Sequence, residues 1–369
     1  MNITIITNEL LKGVQIVHNI AQKKNIIPVL SNILLEVDNG KLRLQTSDLD
    51  IDLQVVKECQ ILETGIISIN AKTFLDVVKF LPGEYTNLTL LDNGYLEIKS
   101  GNMLAKLITL YPEDYPLFPD INEIKFKKVN ARKLIDIFQK TVPFTSTDNS
   151  RYNMTGVLVE PNKLNDKLIS TDGHRLSKYE INKEEIFPLL SVPILLPRKG
   201  LLEILKILET YNTDILCEFG LSSVMAVLKI EDISLCMRFM ELSFPEYRTI
   251  IPDKTPISFI ATRFDLINSL KRVSVLTHSK NQGVKLQLKK NNLRISCFNP
   301  DIGEIYDNLT VSYDGPDVES GFIVSYVLEA LSLITDTNVI VSFENELLPV
   351  VLTGEVEQHY VCVVMPIYY

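Results

Sequence analysis

The sequence predicts an α+β fold built as three tandem domains, each with two helices packed on mainly antiparallel sheets. Three observations lead there. The chain has 369 residues, more than one hydrophobic core usually organises. A pattern of strand, helix and paired strands begins three times, near Ile3, Phe126 and Phe259. Within each copy the plan runs twice, so the chain reads as six half-units.

Each copy opens on a short alternating strand, Ile3 to Ile6, Phe126 to Val129 and Phe259 to Ala261, followed by a polar residue that can start a helix: Asn8, Asn130 and Thr262. Apolar stripes near the 3.6-residue period then run through Leu10, Leu11, Val14 and Val17; Leu134, Ile135, Ile137 and Phe138; and Leu266, Ile267, Leu270 and Val273. Paired strands come next. Asn32 to Val37 faces Leu42 to Thr46 across Asp38-Asn39-Gly40, Gly156 to Glu160 faces Lys167 to Thr171, and Gly283 to Leu288 faces Leu293 to Cys297 across Asn291-Asn292. The second helices are expected over 70–81, 197–208 and 325–334. Proline and charge gather at Pro119 to Glu123 and Pro252 to Pro256, where apolar periodicity stops. The domains are therefore placed at 1–122, 123–253 and 254–369.

Composition narrows the classes of function. With 46% hydrophobic and 22% charged residues, the chain has no disordered signature. No apolar run approaches a membrane span, and the first residues lack a basic segment before a secretory core, so a cytoplasmic protein is expected. Cys59, Cys217, Cys236, Cys297 and Cys362 form no CxxC and sit in or beside apolar runs, which predicts buried free thiols. A net charge of −9 argues against nonspecific coating of nucleic acid but leaves room for a local basic face. Asp48, Asp50 and Asp52 alternate with apolar residues and are read as an acidic outer sheet face, not as a metal site.

No phosphate-cradling glycine loop, GxSxG or HExxH is present, and His18, His174, His278 and His359 share no metal-ligand spacing. Neither catalysis nor a cofactor is expected. The most specific segment is Thr171-Asp172-Gly173-His174-Arg175-Leu176. In order around it stand Arg151-Tyr152, Pro197-Arg198-Lys199-Gly200, Phe244-Pro245-Glu246-Tyr247-Arg248 and Val363-Val364-Met365-Pro366. This ordered set resembles the beta subunit of bacterial DNA polymerase III, the sliding clamp family, over essentially the whole chain.

The resemblance implies three DNA-clamp domains, a head-to-tail homodimer closing a pseudo-six-fold ring, and a non-catalytic role. Its partners would be double-stranded DNA, held topologically and without sequence preference, the replicative polymerase, the clamp loader, and other polymerases and repair proteins. Positions matching the family's DNA-contacting residues are Lys24, Lys72, Arg151, Tyr152, Arg198 and Lys199. From helix position, Lys12, Lys79, Lys140, Lys206 and Lys271 are either further inner-face cations or an ordinary solvated face. The family's peptide-binding pocket maps onto Met154, Thr171, Gly173, His174, Arg175, Leu176, Pro245, Thr249, Ile250, Val363, Met365, Pro366 and Ile367. For Val363, Met365 and Ile367 the plain alternative is a core strand. Leu107, Val275 and Leu276 match the dimer contacts, with burial in a core as the alternative.

The chain departs from better-known members at Thr249, where arginine is frequent, at Asn153, where tyrosine is common, and at the Tyr368-Tyr369 end. A shift in peptide preference is expected there. Two other readings stay open at this point: an enzyme acting on DNA or nucleotides, and a scaffold that does not encircle DNA.

Overall fold

The computed structural model describes residues 1–21, 27–183, 185–187, 190–211, 214–241, 243–252, 254–277 and 283–367. Among them are six α-helices: α1 (Thr7–His18), α2 (Ala71–Val78), α3 (Ala131–Thr141), α4 (Arg198–Glu209), α5 (Arg263–Val273) and α6 (Val324–Leu333). Local chemistry explains their starts. The Asn70 side chain accepts from Thr73 N at 3.0 Å and that of Asn130 from Arg132 N at 2.8 Å, each satisfying a first-turn amide. α1 instead starts at Thr7, one residue before the expected Asn8, and its N-terminal amide donates to Glu84 O.

The chain folds as two compact units. The first comprises residues 1–135, 186–189 and 199–239; the second comprises 136–185, 190–198 and 240–369. Unit one is built on a 13-stranded antiparallel sheet and unit two on sheets of eight and five strands. Two pairings explain why the units do not follow the linkers. Strand Ile233–Arg238 pairs with Ile51–Glu58, in the register Ile233↔Val55, inside unit one. Strand Arg175–Asn182 pairs with Tyr360–Val364, in the register Arg175↔Val364, inside unit two. Strands about 180 residues apart in sequence thus share one sheet.

The expected hairpins form. Asn39 and Gly40 have φ of 50° and 77°, the left-handed pair that a tight hairpin turn demands. α1 buries Leu10, Val14 and Val17 completely, and each such side chain contributes roughly 1.5–3 kcal/mol through its removal from water. The segment at 118–124 is not a free tether. Phe118, Ile121 and Ile124 pack on the buried cluster of Met225, Val227 and Cys236.

Several sequence expectations are corrected. Asp48, Asp50 and Asp52 do not form an acidic strand face. The strand begins at Ile51, and Asp48 is buried in the preceding turn, accepting from Ile51 N at 2.7 Å and Asp50 N at 3.1 Å. Asp52 is 2% exposed, on a strand flanked in the sheet by Lys41–Ser47 and Ile233–Arg238. Lys140 is no solvated inner-face cation either. It is buried between the rings of Tyr179 and Tyr360 and pairs with Asp136 at 2.9 Å and with Glu357. The thiols of Cys217, Cys236, Cys297 and Cys362 are buried as expected, whereas Cys59 is only half-buried; all five are free.

Candidate functional site

In unit two, the Thr171–Arg175 turn is fixed by its own polar atoms. Asp172 Oδ1 accepts from His174 N at 2.9 Å and Arg175 N at 3.1 Å, while Thr171 Oγ1 accepts from Gly173 N and donates to Arg175 O. Gly173 has φ of +90°, and a Cβ there would come within 3.2 Å of Arg151 Nη1 and 3.9 Å of Met154 Sδ. The positive φ favours glycine here, and a Cβ would also press the end of the Arg151 side chain.

From this turn the remaining residues gather. Met365 N donates to His174 O at 2.9 Å, and the terminal Pro366–Ile367 pairs with Phe322 and Gly321. Beneath lies a buried cluster of Leu158, Ile169, Leu176, Leu195, Tyr247, Val351 and Val363, against which Phe244, Ile250 and Ile251 pack. Leu176 and Val363 are fully buried and form its floor. Gly173, His174, Thr249 and Met365 are exposed, while Met154, Pro245, Ile250, Pro366 and Ile367 are half-buried. The structure thus sets a mixed rim, exposed at Gly173, His174, Thr249 and Met365 and half-buried at its other apolar residues, over a buried apolar floor.

Arg175 is the exception. Strand alternation turns it away from Leu176, and its guanidinium lies between the rings of Phe144 and Tyr326, donating to Asp172 at 2.9 Å, Glu329 at 2.6 Å and Pro143 O at 3.0 Å. Burial opposes its charge, but the carboxylates of Glu329 and Asp172 outweigh that, and its pKa is raised. On the rim, Arg248 is engaged with Glu160 and Glu246, and the Tyr247 hydroxyl also donates to Glu160. Burial and then that carboxylate push the Tyr247 hydroxyl well above its ordinary range.

The cationic candidates fall in both units. In unit one Lys72 is exposed on α2, and Lys199 at the start of α4 is paired with Asp48. Lys12 and Lys206, paired with Glu9 and Glu203, line a cavity of about 480 Å³ with Lys57, Tyr211, Glu231 and Asp232. In unit two Arg151 and Tyr152 are exposed, and Arg151 donates to Asp172 O at 2.8 Å. Arg198 is half-buried, with its Nε unpartnered among the described residues. Lys24 lies outside the described residues, as does the Tyr368-Tyr369 end.

Of the three contact candidates, only Val275 is largely exposed, at 75%; Leu107 and Leu276 are half-buried. In unit one, strand Met103–Leu110 exposes Leu104, Ile108 and Leu110, and it pairs with Gly65–Asn70 only through Thr109 and Leu110, leaving residues 103–108 unpaired on that side among the described residues. In unit two, strand Gly303–Thr310 is a sheet edge, and Phe298, Ile302 and Tyr306 are exposed at or near it. Sequence reading missed these side chains. The alternation of Leu104, Lys106, Ile108 and Leu110 is visible in the sequence, but the edge position that exposes it is not.

No group of three or more His, Cys, Asp or Glu among the described residues is arranged to hold a metal, and no described helix is long and apolar enough to cross a membrane. Three tandem domains of helices over antiparallel sheets are the architecture of the DNA-clamp class, to which the family profiles assign the chain. The DNA polymerase III beta subunit profiles match in order: N-terminal domain at residues 1–119, central domain at 128–246 and C-terminal domain at 248–368. The chain belongs to the DNA polymerase III beta subunit family. It is 28% identical to the beta sliding clamp of Vibrio cholerae over 100% of both chains, and 29% identical to that of Escherichia coli over 99% of both. Its fold is that of the Bacillus subtilis DNA polymerase sliding clamp, with a TM-score of 0.94 at 24% identity covering 100% of this chain and 99% of that one. The Pseudomonas aeruginosa DNA polymerase III subunit beta aligns with a TM-score of 0.92 at 26% identity over 100% of both chains.

Proposed function

We propose that this chain is a sliding clamp: two copies join head to tail into a closed ring that encircles duplex DNA and tethers the replicative polymerase to it. The observation that carries the reading is the ordered match of all three beta-subunit domains over nearly the full chain. We place the domain boundaries at 1–122, 123–253 and 254–369.

Physical features support it. Unpaired apolar edges are an aggregation hazard unless something covers them, and the Met103–Leu110 strand and the Phe298–Tyr306 region are such edges. A heterologous contact between them closes once the rotation per subunit closes. Lys24, Lys72, Arg151, Tyr152, Arg198 and Lys199 supply loose phosphate contacts that read no sequence. The rim of Met154, Gly173, His174, Pro245, Thr249, Ile250, Met365, Pro366 and Ile367, over Thr171, Leu176 and Val363, receives an extended peptide from the polymerase, the clamp loader or repair proteins in the cytoplasm. The ring does no chemistry.

The test is retention on DNA. Loaded protein should stay on nicked circular duplex and leave when the circle is cut; binding indifferent to ends would overturn the reading.

A further inference from the structure

We infer that Glu329, on α6 and outside the proposed peptide groove, is a positioning residue for that groove, acting through Arg175 on the Asp172–His174 turn. This rests on the groove reading given above.

Arg175 is 9% exposed, and its donors run in two directions. Nε holds Asp172 Oδ2 at 2.9 Å, and the same carboxylate uses Oδ1 to accept the amides of His174 and Arg175. Nη1 reaches the other way, to Glu329 Oε2 at 2.6 Å. A guanidinium is a rigid planar fork, so fixing one edge fixes the direction of the other. Stacking between Phe144 and Tyr326 removes the remaining freedom to tilt. Glu329 thereby sets where Asp172 stands, and Asp172 sets the turn whose His174 carbonyl accepts from Met365 N. The His174 and Met365 side of the proposed groove hangs on that turn.

Among the described residues no hydrogen bond or ion pair joins the Glu329 side chain to a rim residue. Its carboxylate, 40% exposed, is on the helical side of the sheet, opposite Leu176 and Val363. Without it, the Arg175 charge remains buried with one carboxylate in place of two. The guanidinium then gains by turning toward water, which releases Asp172 from Nε. The turn keeps its backbone bonds but loses its anchor, and a bound peptide must supply the ordering that the free protein no longer has.

The experiment uses the full-length protein and a labelled hexapeptide with leucine two residues before phenylalanine, so that both side chains fall on one face of an extended chain. Affinity is read by fluorescence anisotropy for wild type, Glu329→Gln, Glu329→Asp and Glu355→Gln, with thermal midpoints in parallel. Glu355 is a carboxylate bonded to Asn338 and serves as the control. The expected result is an affinity loss of about tenfold, or about 1.4 kcal/mol, for Glu329→Gln. Glu329→Asp should recover part of it and Glu355→Gln should leave affinity unchanged. Equal loss in the control, or none in Glu329→Gln, would overturn the assignment. Should Glu329→Gln lower the midpoint markedly, the Asp variant decides, since it keeps the charge. Failure of the wild type to bind the peptide would instead overturn the groove reading itself.

Discussion

Lys57 donates to the Asp232 carboxylate at 2.7 Å and to Glu9 at the same distance, linking its own strand to α1 and to the turn before Ile233–Arg238. Burial opposes the Lys57 charge, yet the two carboxylates raise its pKa, and Lys57, followed by Lys12, lowers that of Glu9. Replacing Lys57 by methionine removes the cation from Asp232 and leaves Glu9 with Lys12 alone. It should cost about 2 kcal/mol in denaturant unfolding, less than for a fully buried pair. The Glu9 contribution has a definite sign: it is present above the ordinary carboxylate pKa and lost as pH falls through the lowered one. Lys57→Met should therefore weaken the acid limb of the stability curve, and an unchanged limb would contradict the role given to this pair.

Asp52 behaves in the opposite sense. Burial raises its pKa, and Oδ2 has no hydrogen-bond partner among the described residues, the Arg238 guanidinium standing 3.9 Å away. The fold therefore favours the protonated acid. Its contribution is full below the ordinary aspartate pKa and is lost as pH rises through the raised one. Asp52→Asn should gain about 1 kcal/mol at neutral pH and show a flatter loss of stability as pH rises above the ordinary aspartate range. Equal slopes in the two proteins would show Asp52 to be ionised in the fold at no cost.

Thiol chemistry gives a check on the core. Burial pushes Cys217 up to about 11 and Cys236 and Cys362 up to about 12, and raises Cys297 and Cys59 as well. A thiolate-selective reagent at pH 7 should modify Cys59 first, more slowly than free cysteine, and the other four only on unfolding. Mass spectrometry of partly modified protein identifies the site.

Lys72 isolates the electrostatic part of DNA contact, since it is exposed on α2. Lys72→Ala should leave thermal stability unchanged and make the slope of log affinity against log salt shallower by about 0.9, the value of one phosphate contact. Binding of a short duplex across a salt series measures this. An unaltered slope removes Lys72 from the DNA face.

Much of the fold could be read from local pattern. The stripe of Leu10, Val14 and Val17 and the caps Asn70 and Asn130 mark helices because their chemistry is satisfied within a few residues. What escaped was set by partners distant in sequence. Asp52 is buried on a strand whose sheet partner lies some 180 residues further along, and Lys140 is enclosed by Tyr360, so burial overrode what alternation and helix position implied for each. Arg175 falls within a motif read as groove wall; strand alternation turns it away from Leu176, and the partners that hold it there, Glu329 and Tyr326, are distant in sequence. Two residues of the candidate rim, Gly173 and His174, lie within one tight turn that the sequence marks, whereas Met365 reaches it only through its bond to His174 O.

The central claim is a closed ring on DNA, and the most direct measurement is solution mass by light scattering followed, on the same sample, by retention on nicked circular duplex before and after linearisation. The account predicts twice the 41.9 kDa chain mass, retention on the circle and release when it is cut. A monomer at working concentration, or retention that ignores free ends, would contradict it.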